Sequence, residues 1–289
     1  MIVQITRTKN ELFLIKELLP IWQRYADGFV FYDDHSTDGT FEYLTSGDIK
    51  NKYNILEVLR EETEDDYSKK LKIETNSRQP LYDAALKYSS KIICCDSDEY
   101  LDGTCTKEEL DQFLSINVDT VISLKWTQYT DTNTIRVDGP WGNNFKVRIG
   151  SYSSRGDFGV AQMHSLHLPP ASKTLVINPE NLFIAHLQWI DKRWVGVKQY
   201  FWKVNDYVNQ TVHGASVMGS AAYDVSVNNF QWSYQPFTPP MKVSDKIFAN
   251  EDIKTNYKLQ FIKKYTNELN IPNLGDWGMG IYDYCVKIS

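Results

Sequence analysis

Two carboxylates separated by one residue follow a short apolar run in the middle of the chain. The run covers residues 92–95, and Asp96 and Asp98 come directly after it. Hard divalent cations such as Mg²⁺ and Mn²⁺ prefer carboxylate oxygens and often share their coordination shell with substrate phosphates. The spacing therefore indicates a metal site. A solvated surface turn that carries these two acids and Glu99 would give the same pattern.

A second pair of carboxylates, Asp33 and Asp34, follows another apolar run at residues 29–32. A carboxylate at this position can accept hydrogen bonds from a ribose hydroxyl or from a base N–H. Residues 33–40 also contain the Asp, Ser, Thr and Gly that any strand-to-helix turn uses. From the residues alone, ligand binding and turn formation therefore both remain open for this pair.

The elements that would position these acids alternate between strands and helices over the first 125 residues. This rhythm predicts a Rossmann-like α/β fold with a mixed, mainly parallel sheet flanked by helices. In such open sheets ligands bind beyond the carboxyl ends of the strands, where both acidic pairs lie. The predicted strands are 2–6, 29–32, 54–59, 91–95 and 120–125, and the predicted helices are 10–25, 68–88 with an interruption before Pro80, and 106–115.

The rhythm changes after Trp126, where short strand-like segments are separated by Gly, Pro, Ser and Asn. We interpret the chain as one domain, with a ligand-binding half at 1–125 and an elaborated second half at 126–289. The predicted strands of the second half are 145–149, 160–163, 175–177 and 182–186, and its predicted helices are 191–209 and 252–269.

Charge and composition exclude several classes of function. The chain has 37 acidic and 31 basic residues, so a nucleic-acid partner, which requires a basic surface, is not expected. No run approaches 18 apolar residues, and the first residues lack the pattern of a signal peptide. The four cysteines have no zinc-ligand spacing, which favours reduced thiols and a cytoplasmic protein.

Taken together, the motifs resemble the GT-A glycosyltransferases, and most closely their family 2-like bacterial and viral branch. The resemblance covers about residues 1–125 and is loose beyond them. It depends on the order and spacing of four elements: Arg7-x-Lys9-Asn10-Glu11, then Asp33-Asp34-x-Ser36-Thr37-Asp38-Gly39-Thr40, then Arg78, then Asp96-x-Asp98-Glu99.

The resemblance implies a metal-dependent enzyme that moves a sugar from a nucleotide-diphosphate sugar, with UDP favoured, to a hydroxyl of a glycan, lipid-linked sugar or protein. It implies Mn²⁺ or Mg²⁺ at the acidic motif, which explains how an acidic protein binds an acidic donor. Asp98 is the expected direct ligand, and Asp96 the contact to metal or ribose. The remaining donor contacts implied are Thr6, Arg7, Asp33, Asp34 and Arg78, with Glu11 left open between ligand contact and helix capping.

A late histidine often completes the metal site in this family, and His186 matches that strand-end position best. Its alternatives are His164, His167 and His213. The family usually inverts the anomeric centre, which requires a base to deprotonate the acceptor hydroxyl. Asp157, in a loop flanked by glycines, is the first choice. The alternatives for the base are Asp138, Asp191 and His164, and Lys192 with Arg193 is a further possible diphosphate contact.

Aromatic residues are in excess, with 18 Tyr, 13 Phe and 8 Trp. Apolar sugar faces pack on aromatic rings, so part of this excess is expected to line an acceptor groove. Trp126, Trp141 and Trp189 flank predicted strand ends and are the candidates. A haloacid-dehalogenase-type phosphatase and a sugar nucleotidylyltransferase fit the motifs poorly. A carbohydrate-binding or inactive GT-A-like protein is the main alternative, and peripheral membrane association is compatible with the sequence.

Overall fold

The computed structural model describes residues 1–61, 74–159, 166–214, 233–241, 243–244, 247 and 256–268. The predicted strand at 160–163 and the base candidate His164 lie outside these residues, as do parts of the predicted helices at 68–88 and 252–269. The same holds for the side chains of Lys192, Arg193 and His213.

Four parallel strands form one side of the sheet, in the spatial order β3-β2-β1-β4, with β3 at its end. This confirms the predicted α/β class, and each strand lies within two residues of its predicted bounds. The strands are β1 (Val3–Thr8), β2 (Gly28–Asp33), β3 (Ile55–Arg60) and β4 (Lys91–Cys94).

The rest of the sheet is mixed, and the long strand β6 joins its two parts. The first half of β6 lies antiparallel to β8, which in turn pairs with β4, whereas its second half pairs with β7 and β10. β6 thus runs through the predicted division at residue 125. The strands are β5 (Glu99–Asp102), β6 (Thr120–Asp131), β7 (Thr134–Arg136), β8 (Phe145–Ser151), β9 (Lys173–Val176), β10 (Phe183–His186) and β11 (Tyr234–Pro236).

Eight helices occur in the described part of the chain. The capping box predicted at Thr106 is present. The Thr106 side chain accepts from Glu109 N, and the Glu109 carboxylate accepts from Thr106 N. The predicted interruption before Pro80 is wrong, since one helix runs from Thr75 to Leu86 through this proline, which lacks a backbone N–H and so removes one hydrogen bond from the helix. The helices are α1 (Leu12–Trp22), α2 (Thr40–Thr45), α3 (Gly47–Tyr53), α4 (Thr75–Leu86), α5 (Lys107–Ile116), α6 (Gly139–Gly142), α7 (Lys192–His213) and α8 (Tyr257–Glu268).

β1, β2 and β4 are buried on both faces, as parallel strands between helices are, whereas β3 at the end of the sheet is mostly half-buried. Phe29 and Phe31 of β2 pack on α1 through Trp22, whereas Val30 between them joins the core under α4. α7 packs against α8 around a separate aromatic cluster. Among the described helices, none has the length and apolar character needed to cross a membrane.

Candidate functional site

The carboxyl ends of β1, β2 and β4 meet at one edge of the sheet, as their order requires. Asp34 N donates to Thr8 O at 2.9 Å, which joins β2 to β1. Ser97, between the two motif aspartates, donates to Arg7 O at 3.2 Å, which joins the end of β4 to β1. The predicted donor-binding residues of these three strands are therefore brought together.

Asp98 is buried at the centre of this edge and faces two nitrogen groups from the second half of the chain. Its Oδ2 lies 3.4 Å from His186 Nε2, at the end of β10, and 2.5 Å from Lys198 Nζ, on α7. Burial alone would raise the pKa of Asp98, but Lys198 and His186 hold it well below its ordinary value. The predicted late histidine, His186, thus faces the motif aspartate, and it shares one oxygen of Asp98 with Lys198.

Gln128 fixes the orientation of the His186 ring. Its Oε1 accepts from Trp189 Nε1 at 2.6 Å and lies 2.5 Å from His186 Nδ1. An indole N–H only donates, so the atom between them is the amide oxygen and His186 Nδ1 must carry a hydrogen. In neutral His186, the lone pair of Nε2 therefore points toward Asp98. Metal-binding histidines are commonly held in this way.

Asp96 contacts a different set of cationic and polar groups. Its Oδ1 accepts from Arg78 Nη2 at 3.3 Å, and its Oδ2 lies 3.1 Å from His167 Nε2. Burial would raise the pKa of Asp96, but His167 and Arg78 hold it well below its usual range. Burial, together with Arg148 and Arg78, lowers the pKa of His167 to about 4, so its imidazole is neutral near pH 7.

Glu99 forms a buried ion pair beneath the motif. Arg148 donates to its two oxygens at 2.9 and 2.6 Å, and both side chains are only 1% exposed. Arg148 lies at a β-bulge, where the register between β8 and β6 shifts, and bulges redirect side chains. Trp126 Nε1 also donates to Glu99, at 2.7 Å. Glu99 therefore begins a buried strand, and the surface-turn alternative is wrong for this residue.

Two further contacts tie the first strand to the motif. Glu74, on the turn before α4, lies 3.7 Å from Arg7 Nη1 and 3.2 Å from Arg78 Nη2. Glu11 accepts a hydrogen bond from Ser97 Oγ, and its other oxygen lies 3.6 Å from Lys258 Nζ on α8. The Glu11 side chain makes no capping bond to α1, where Asp38 Oδ2 accepts from Leu12 N at 3.0 Å instead, so Glu11 supports the motif and not the helix.

Asp33 and Asp34 lie at the carboxyl end of β2, which is separated from β4 and the acidic motif by β1. Asp33 is fully buried, accepts from Ser36 N at 3.0 Å and lies 3.6 Å from Arg60 Nε. Its Oδ1 has no hydrogen-bond partner within the described residues. Asp33 therefore organises the turn after β2, whereas Asp34 is half-buried and nearer to solvent.

The three predicted acceptor tryptophans form one cluster beside His186. The ring of Trp126 stacks on His186 with centroids 4.5 Å apart, and Trp141 lies between Trp126 and Trp189, at 5.8 and 5.1 Å. Trp189 is 1% exposed and belongs to the core. Trp126 and Trp141 are half-buried, so they are the members that can meet a ligand.

Asp157 lies in the loop that follows β8. It is exposed and accepts from Gly159 N at 2.6 Å, in a loop that packs on α4 through Phe158 N and Gln79. In the described structure it makes no hydrogen bond to the acidic motif. Asp138 is engaged by Arg136 at 2.7 and 2.8 Å. The identity of the base stays a prediction.

Sequence reasoning missed four residues that build the site: Glu74, Gln128, Arg148 and Lys198. None belongs to a motif, and each reaches the site only through tertiary contacts. The described residues contain no group of three or more His, Cys, Asp and Glu side chains arranged around a common metal position. A cation at Asp98 and His186 would thus complete its shell with water and ligand oxygens, as Mg²⁺ often does.

Comparisons with known proteins do not assign the chain to a family. No family model matches the sequence, and no curated protein is similar to it. Among solved structures, the backbone is similar to HddC from Yersinia pseudotuberculosis, at a TM-score of 0.27 and 12% identity over 64% of this chain and 76% of that one. At this TM-score neither fold nor function is inferred from the likeness.

Proposed function

We propose that this protein is a glycosyltransferase that moves a sugar from a nucleotide-diphosphate sugar to a hydroxyl of a glycan, lipid-linked sugar or protein. The observation that carries the proposal is the meeting of Asp98 and His186. They come from distant parts of the sequence, yet they face each other at 3.4 Å beyond the strand ends, where open α/β sheets bind ligands.

The donor would lie along the edge formed by β1, β2 and β4. We assign the nucleoside to Thr6 and Asp34, with Asp33 holding the turn behind it. Arg7 and Arg78 supply positive charge between the nucleoside and Asp96. Since both oxygens of Asp96 already contact Arg78 and His167, we favour a ribose or positioning role for Asp96 over metal ligation.

Asp98 and His186 would hold Mn²⁺ or Mg²⁺. Their donor atoms fit such an ion: a carboxylate oxygen and an imidazole nitrogen whose lone pair is aimed by Gln128. When bound, the ion supplies Lewis-acid stabilisation of the departing diphosphate. Asp98 and His186 fix the position of the ion. The buried Glu99–Arg148 pair fixes the position of the acidic motif.

The acceptor would meet Trp126 and Trp141, whose half-buried rings lie next to His186 and offer apolar faces to a sugar. Transfer with inversion requires a base for the acceptor hydroxyl. Asp157 remains our assignment, with His164 as the alternative.

One observation favours the alternative of a carbohydrate-binding or inactive GT-A-like protein. Lys198 already neutralises Asp98, so the cation position has an internal occupant. In this alternative the tryptophans would still bind sugar, but no donor would be turned over.

A thermal-shift screen separates the two functions. A ligand that binds only the folded state raises the melting temperature, and UDP-, GDP- and dTDP-sugars would be tested with and without Mn²⁺. We expect one nucleotide sugar to raise it in the presence of Mn²⁺ and much less in excess chelator. Stabilisation by free glycans but by no nucleotide sugar would support the binding protein instead.

A further inference from the structure

Lys198 holds the position at Asp98 that a divalent cation needs. We propose that Lys198 is a displaceable counter-ion: its ammonium neutralises Asp98 before the metal binds, and then moves to the diphosphate of the donor. The inference rests on the proposed function, and it assigns a role to a residue outside every sequence motif.

Lys198 and His186 approach the same carboxylate oxygen of Asp98. Lys198 Nζ lies 2.5 Å from Asp98 Oδ2, and His186 Nε2 lies 3.4 Å from the same oxygen. A metal ion ligated by Asp98 Oδ2 and His186 Nε2 would be only a few ångströms from the ammonium. The Lys198 side chain is 15% exposed and that of Asp98 is 5% exposed, so water and salt screen the repulsion weakly. A bound metal ion and the Lys198 ammonium therefore cannot both stay at Asp98.

The ammonium has a path away from Asp98. Lysine is a compact charge on a flexible four-carbon stem, and it is a common phosphate ligand. Because the side chain keeps some exposure, it can swing from the buried carboxylate toward the open edge of the sheet. A donor diphosphate bound there brings the negative charge that the ammonium loses when it leaves Asp98.

The proposal predicts opposite changes in two affinities, which a purely structural lysine would not produce. In Lys198→Met we expect Mn²⁺ to bind at least about tenfold more tightly than to the wild type, because the competing charge is gone. We expect UDP, at saturating Mn²⁺, to bind about tenfold more weakly. Lys198→Arg keeps a cation at this position and should change Mn²⁺ affinity by less than about threefold.

The test measures free Mn²⁺ by electron paramagnetic resonance and UDP binding by calorimetry on the full chain. Lys87→Met, at an exposed lysine paired with Glu57, is the matched control and should leave both affinities unchanged. Circular dichroism checks the fold, and Lys198→Gln replaces Lys198→Met if the latter does not fold. In Lys198→Met/Asp98→Asn the gain in Mn²⁺ affinity should disappear.

Equal Mn²⁺ affinity in the wild type and Lys198→Met would overturn the counter-ion role and leave glycosyl transfer standing, since transfer is scored separately by UDP release. Loss of both affinities, or a gain that survives Asp98→Asn, would also overturn it. If Mn²⁺ binds to neither protein, the counter-ion role and the metal part of the proposed function fail together.

Discussion

The carboxylates at the ends of β2 and β4 lie in opposite electrostatic environments. At the end of β4, Asp96 and Asp98 face arginine, lysine and histidine side chains, and these hold both pKa values below their ordinary range despite burial. At the end of β2, burial of Asp33 is the dominant effect and raises its pKa, although Ser36 and Arg60 oppose it. The first pair is built to remain charged, and Asp33 is built to close a turn.

The two acidic pairs of the sequence are therefore not equivalent, although each follows an apolar strand. The surroundings of Asp96 and Asp98 favour the charged form, which suits cation binding, whereas burial disfavours the charged form of Asp33. Substitutions at these two strand ends should therefore have different consequences.

Glu99→Gln should lower the free energy of unfolding by about 3–5 kcal/mol, because it leaves Arg148 buried without its counter-charge. Urea denaturation measures the loss. The matched control is Glu57→Gln, which breaks the exposed pair with Lys87 and should cost less than about 1 kcal/mol. Similar losses in the two variants would mean that the base of the β4 site is not held by this ion pair.

Gln128→Leu should weaken Mn²⁺ binding by about 10–100-fold, because the His186 ring loses the acceptor that fixes its hydrogen on Nδ1. Titration followed by electron paramagnetic resonance gives the affinity. Gln23→Leu, at an exposed glutamine bonded to Lys52 O, serves as the control. Unchanged affinity in Gln128→Leu would remove His186 from the cation site.

Trp141→Leu should raise the KM for an acceptor about tenfold and leave the KM for the donor unchanged, since a ring contact of this kind contributes about 0.5–1.5 kcal/mol. Initial rates with an acceptor identified by screening measure both constants. Trp202→Leu removes another half-buried tryptophan, on α7, as a control. Equal effects on both substrates would assign Trp141 to packing.

Asp33→Asn should produce the smallest change. The raised pKa of Asp33 means that the folded state binds its proton more tightly than the unfolded state, so wild-type stability falls as pH rises through that pKa. The variant lacks this penalty. Relative to the wild type, its stability should be more favourable at pH 7 than at pH 4, as measured by urea denaturation at the two pH values. The opposite trend would mean that Asp33, like Asp98, is stabilised as an anion.

The sequence predicted β1 to β4 because apolar runs bounded by polar turns leave little choice of structure. It also placed His186 and the tryptophans near strand ends, and the structure brings them together. It did not predict that Glu99 begins a strand, since a charged residue is buried there only because Arg148 arrives from β8. The sequence did not predict the roles of Lys198 and Gln128 for the same reason. Their partners are distant in sequence, and the residues beside them form no motif.

Asp98→Asn shows whether the charge of Asp98 is needed for transfer. The variant keeps the size of the side chain and removes its charge. Release of UDP from the donor selected by thermal shift should fall by about 10²–10³-fold, while the melting temperature shows that the protein is folded. Asp48→Asn, at an exposed aspartate on α3, should retain full activity. Release at the wild-type rate in folded Asp98→Asn would contradict the account.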